Sequence, residues 1–111
     1  MTMMMSSGLT APNGVAQDPR KLDLPAEIRV GEAAHPARIT TLSPTGVELD
    51  VNDEPQAQAM LVDDIILVIP SLGQYKARRL RRNGARAAYL FELTEFSRRA
   101  LGALIADRFP D

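Results

Sequence analysis

From Leu24 onward the chain alternates apolar and polar positions with period two. Leu24, Ala26, Ile28 and Val30 face one way and Pro25, Glu27, Arg29 and Gly31 the other, the pattern of a strand with one buried face. A break at 31–34 leads to a second predicted strand over 35–42. Ser43-Pro44-Thr45-Gly46 then carries the preferences of a type I turn, with serine first, proline second and glycine fourth. The third strand sets Val47, Leu49 and Val51 against Glu48, Asp50 and Asn52.

A polar connection over 53–58 precedes Ile65-Ile66-Leu67-Val68-Ile69, a continuous apolar run expected of a strand covered on both faces. Pro70-Ser71-Leu72-Gly73 turns into a basic strand over 75–82, where Tyr75 and Ala77 share a face and Leu80 falls on the other. A bulge near Arg78 and Arg79 is expected to return Leu80 to the apolar side. Asn83-Gly84 is a two-residue hairpin signal, and the returning strand aligns Ala85, Ala87, Tyr89, Phe91 and Leu93. Thr94 is the expected N-cap of a closing amphipathic helix, with Glu95 near its positive end and Phe96, Ala100, Leu101, Leu104, Ile105 and Arg108 at helical spacing. Six strands joined mostly by hairpins, then one helix, predict an all-β fold: a small six-stranded antiparallel barrel with a C-terminal α-helix over part of it. Residues 1–18 show neither period and are rich in Gly, Ser, Pro and Ala, so they are expected to form a flexible leader before a single domain over 19–111.

Composition narrows the function classes. The 111 residues include no cysteine and one histidine, which removes disulfides, thiolate metal sites and thiol nucleophiles and leaves little for a histidine cluster. No nucleophile–base pair, glycine-rich phosphate loop or metal spacing is present, so no catalytic residue, metal or cofactor is expected. Asp63 and Asp64 are adjacent on an extended segment and point apart, which suits a loop cap better than a shared ion. No apolar run approaches the roughly 18–20 residues of a membrane-spanning helix, and the start MTMMMSSG lacks a secretory pattern, so the expected location is the cytoplasm.

The net charge of −1 conceals an asymmetry. Residues 1–75 carry four basic and ten acidic side chains, whereas 76–111 carry nine basic and four acidic. Lys76, Arg78, Arg79, Arg81, Arg82 and Arg86 lie within eleven residues that contain no acid, a candidate surface for a protein partner. Sparse aromatics, Tyr75 and Tyr89, argue against nucleic acid there. His35, beside Pro36 near a strand start, is read as incidental.

The run Ala37-Arg38-Ile39-Thr40-Thr41-Leu42-Ser43-Pro44-Thr45-Gly46-Val47-Glu48-Leu49 resembles the core of PilZ domains, whose signature is Asp/Asn-x-Ser-x-x-Gly preceded by Arg-x-x-x-Arg. Ser43 and Gly46 match; Thr41 stands at the Asp/Asn position, and Ala16 lies four before Arg20. Leu24-Pro25 and Tyr89-Leu90-Phe91-Glu92-Leu93 followed by a helix extend the resemblance over about 20–108. It implies a non-enzymatic receptor or adaptor for cyclic di-GMP, with Arg20, Lys21, Thr41, Ser43 and Gly46 as ligand contacts and an N-terminal arm that orders on binding.

The chemistry of that expectation is direct. A guanidinium fork meets phosphate oxygens or guanine's Hoogsteen edge, a hydroxyl adds a contact, and glycine admits the ligand to the backbone. Lys21 is confined to a phosphate contact. Two missing charged or bidentate bonds weaken binding by roughly 3–6 kcal/mol, about two to four decades. The alternative is a degenerate PilZ protein that binds no nucleotide and acts through protein contacts at the basic hairpin and the terminal helix. A nucleic-acid-binding barrel is the third class.

Overall fold

The computed structural model describes residues 19–110, and the expected leader lies outside them. The elements are β1 (Arg20–Val30), β2 (Ala33–Leu42), β3 (Gly46–Asp50), α1 (Pro55–Gln58), β4 (Asp64–Ile69), β5 (Gly73–Asn83), β6 (Arg86–Phe91) and α2 (Glu95–Arg108). All neighbouring strands are antiparallel and close a barrel in the order β1-β2-β3-β6-β5-β4. The predicted six-stranded barrel with a C-terminal helix is the observed architecture.

The alternating apolar set fills the interior. Ile28, Ile39, Leu42, Leu49, Leu67 and Ile69 are almost fully buried, and Leu101 and Ile105 of α2 join the same core. Removing such side chains from water is the main stabilising term, about 1.5–3 kcal/mol each. Thr94 caps α2 by accepting from the Ser97 N–H at 3.0 Å, as the sequence predicts.

Several local expectations change. β1 begins at Arg20 rather than Leu24, so Arg20 and Lys21 are paired strand residues opposite Leu42 and Thr41. β2 begins at Ala33 and contains a register shift between Ile39 and Thr41. That extra residue lets Ile39 and Leu42, three apart, both face inward. β4 buries Ile65, Leu67 and Ile69 but leaves Ile66 exposed, so the apolar run is covered on one face. The polar connection holds α1, with Pro55 in its first turn, and its Ala57 and the following Leu61 help close the barrel.

The bulge in β5 is real, but it lies between Arg79 and Arg81 and leaves Leu80 pointing outward, 56% exposed. The inward positions around it are Ala77 and Arg79, because the barrel mouth there meets the polar 61–63 backbone instead of more apolar side chains. The hairpin loop is Gly84-Ala85, one residue later than expected, and Gly84 takes φ +64. Positive φ at the first central position suits a tight hairpin whose twist matches its strands.

Candidate functional site

The 43–46 turn joins β2 to β3 and differs from a simple type I turn in how it is closed. The Ser43 N–H donates to the Gly46 carbonyl at 2.9 Å, while the Gly46 N–H donates to Ser43 Oγ at 3.2 Å. Ser43 Oγ also accepts from the Thr45 N–H at 3.3 Å and lies 3.1 Å from Thr45 Oγ1. Ser43 is buried, so its hydroxyl is engaged in building the turn. Gly46 has a packing reason as well: a Cβ there would sit 2.5 Å from the Tyr89 carbonyl oxygen on β6. Both motif residues therefore fix the geometry of this corner.

Thr41 and Glu48 are cross-strand partners, and Thr41 Oγ1 donates to Glu48 Oε1 at 3.3 Å. The other carboxylate oxygen, Oε2, accepts from Arg81 Nη2 at 3.1 Å. A cleft of about 180 Å³ opens beside the turn, lined by Thr41, Ser43, Gly46, Arg81 and the outward Leu80 and Leu90. Lys21, exposed and opposite Thr41 in the β1–β2 ladder, extends the same row.

Arg20 is placed elsewhere. Adjacent strand residues point to opposite faces, and Arg20 shares the inward side of its partner Leu42. Its Nη1 donates to the Phe109 carbonyl at 2.6 Å, beyond the last turn of α2. Of the five ligand residues read from sequence, the structure gathers Thr41, Ser43 and Gly46 at the cleft, sets Lys21 beside it and directs the Arg20 guanidinium to the helix end. Arg81 is the functional candidate that sequence reasoning assigned to a different surface. The strand order carries the signal, since it brings β5 next to β6 and β6 next to β3.

That order also explains the basic hairpin. β5 and β6 lie between acidic β4 and β3, and the charges interleave. Arg78 pairs with Asp64 at 3.3 Å and Glu92 at 3.7 Å, Arg79 with Asp63 at 2.7 Å, Arg81 with Glu48, and Arg86 with Asp50 at 3.4 Å. Arg82 donates to Gln58 Oε1 and to the Gly84 carbonyl. Lys76 has no ion pair among the described residues. Exposed pairs of this kind contribute little stability each, but they cancel the field of a cationic patch.

Arg79 does more than pair with an acid. Its Nη1 donates to the Leu61 carbonyl at 2.8 Å, and its cross-strand partner Tyr89 donates from its hydroxyl to the Val62 carbonyl at 2.6 Å. These two side chains hold the connection after α1 against the barrel. Burial pushes the Tyr89 phenol up to about 12, opposed by nearby Arg79. His35 sits far along β2 from the turn, with Nδ1 2.8 Å from the Pro36 carbonyl oxygen. Among the described residues there is no group of three or more His, Cys, Asp or Glu that could hold a metal, and no helix is long and apolar enough to cross a membrane.

The crystal structure of the PilZ domain of CeSA from a cellulose-synthesizing bacterium matches the barrel with a TM-score of 0.63. The match has 13% identity and covers 85% of this chain and 99% of that one. This chain has the PilZ fold. A second match is the PlzA protein of Borreliella burgdorferi, solved in complex with c-di-GMP, with a TM-score of 0.56 and 16% identity. That match covers 83% of this chain, which spans 39% of PlzA. No family model and no curated protein sequence matches the chain. Within this PilZ barrel, the turn at 43–46 and the start of β1 lie at the end where the β6–α2 connection leaves the sheet.

Proposed function

We propose that this chain is a non-enzymatic PilZ-type receptor or adaptor that takes cyclic di-GMP in the cleft beside the 43–46 turn and passes the signal to a protein partner. The observation that carries this is Arg81 in the wall of the same cleft as Thr41, Ser43 and Gly46. It supplies the guanidinium that Arg20, turned toward Phe109, does not. A guanidinium fork suits a phosphodiester or guanine O6 and N7, and Lys21 adds a point charge for phosphate. Leu80 and Leu90 offer apolar surface to a base. The shared fold with a protein solved in complex with c-di-GMP supports the choice of ligand.

A second function, contact with a protein partner without nucleotide, is favoured by one set of contacts. The Ser43 hydroxyl is used within its turn, and Glu48 places a carboxylate where an anionic ligand would come. In that case the exposed face of α2, where Phe96 is 82% exposed, and the outer hairpin are the working surfaces. Calorimetric titration of the full chain with cyclic di-GMP separates the two. Saturable binding that is lost in Arg81→Gln supports the receptor. Silence up to millimolar ligand leaves the adaptor.

A further inference from the structure

Glu48 on β3, Ala88 on β6 and Arg81 on β5 stand in one cross-strand row on the outer face of the barrel. Ala88 is only 7% exposed and lies between its cross-strand partners Glu48 and Arg81, whose side chains meet at 3.1 Å. Two concavities flank this bridge and share Glu48, Arg81 and Ala88 as walls. One is the turn-side cleft of about 180 Å³. The other, about 200 Å³, continues toward the hairpin and is lined by Thr40, Asn83 and Arg86. Each is smaller than the roughly 300–1,000 Å³ of ordinary small-molecule sites.

We infer that the Glu48–Arg81 ion pair is a bar across a single elongated trough, and that Arg86 is the second cation of a phosphodiester site running beneath it. The inference rests on the receptor function proposed above and names the residues that admit and hold the ligand. The bar is easy to displace, because its two side chains are 66% and 48% exposed and such ion pairs are worth little in water. A phosphate oxygen pair replaces the carboxylate on the Arg81 fork with equivalent geometry. Once Glu48 swings away, the two concavities become continuous. Arg86, held through Nε by Asp50 at 3.4 Å, has its terminal nitrogens available to a second phosphate. The Asn83 amide and the Thr40 hydroxyl lie in the same half of the trough for polar base edges.

The test compares the full chain with Glu48→Gln, Arg86→Gln and Arg81→Gln by calorimetry and by amide shifts, using cyclic di-GMP as the probe and inorganic phosphate as the second arm. Glu32→Gln, on the β1–β2 turn, controls for net charge. The expected result is cyclic di-GMP binding about two- to fivefold tighter in Glu48→Gln and unchanged in Glu32→Gln. Binding should weaken at least about threefold in Arg86→Gln, with amide shifts at Asn83 and Ala88 in the wild-type chain. The trough is overturned, and the receptor function kept, if the wild type binds but Glu48→Gln is no tighter and Arg86→Gln no weaker. Equal responses to inorganic phosphate and cyclic di-GMP overturn the dinucleotide trough in favour of a plain anion site. No binding by any variant overturns both. The substituted side chains are exposed, and melting curves verify that each variant is folded.

Discussion

The Arg20 guanidinium donates to the Phe109 carbonyl at 2.6 Å, tying the first residue of the first strand to the residue that ends the last helix. The start of β1 and the end of α2 are thus joined through a cation at a helix C-terminus, where carbonyls lack intrahelical partners. Lys21, one residue later, faces the other way beside Thr41. A pair that looks like a single cationic motif in sequence is divided between a structural contact and the row that runs beside the 43–46 turn.

Arg20→Ala should therefore loosen the helix end more than it affects ligand binding. The loss is expected at about 1 kcal/mol, with faster hydrogen exchange over 105–109 and a change in cyclic di-GMP affinity below about threefold. A tenfold loss of affinity with the helix end still protected would instead return Arg20 to the ligand site.

Gly46→Ala should destabilise the barrel. The added methyl meets the Tyr89 carbonyl oxygen, which belongs to the β6 backbone and cannot rotate away. Prising β3 from β6 is expected to cost about 1–3 kcal/mol, read as a lower denaturant midpoint. A variant as stable as the parent would mean that the strands separate freely at this corner.

Leu80→Lys should leave stability within about 0.5 kcal/mol of the parent, because the bulge carries this side chain to the surface. A loss of several kcal/mol would place Leu80 in the core, as a bulge set before it at Arg78 and Arg79 would require.

Tyr89 gives the fold a defined alkaline limit. An unfolded tyrosine ionises near its ordinary value of 10, whereas the folded Tyr89 phenol is pushed up to about 12 by burial. Between those values the unfolded chain loses its proton first. Stability present below pH 10 is therefore lost as pH rises toward about 12. Tyr75, also raised by burial, adds to the same slope. Denaturation followed against pH should show a shallower alkaline decline in Tyr89→Phe, and a lower midpoint at neutral pH because the Val62 carbonyl loses its donor. Identical alkaline slopes in the two proteins would remove Tyr89 as the group responsible.

The strands were legible because their period is two and their turns are marked by glycine and proline. The helix was legible from Thr94 and the spacing of Leu101, Leu104 and Ile105. Bulges were harder. Each inserts one residue and inverts the parity of everything after it, so a bulge expected at Arg78 and Arg79 puts Leu80 inward, whereas the observed one, between Arg79 and Arg81, leaves it outward. The bulge at Thr40 left a trace only in the spacing of Ile39 and Leu42. Charge was hardest of all. The acidic first two thirds and the basic last third appear separate along the chain, but the barrel places β6 and β5 between β3 and β4, where they neutralise one another. For the same reason Arg81 was read as part of a basic patch. Its proximity to Thr41 and Gly46 depends on strand order, which no local pattern records.

The most direct measurement is a residue-resolved amide-shift titration of the full chain with cyclic di-GMP. The cleft predicts saturable shifts at Thr41, Gly46, Arg81, Ala88 and Leu90, with Arg20 and Phe109 little changed. Saturating shifts centred away from β3, β5 and β6, or no shifts up to millimolar ligand, would contradict it.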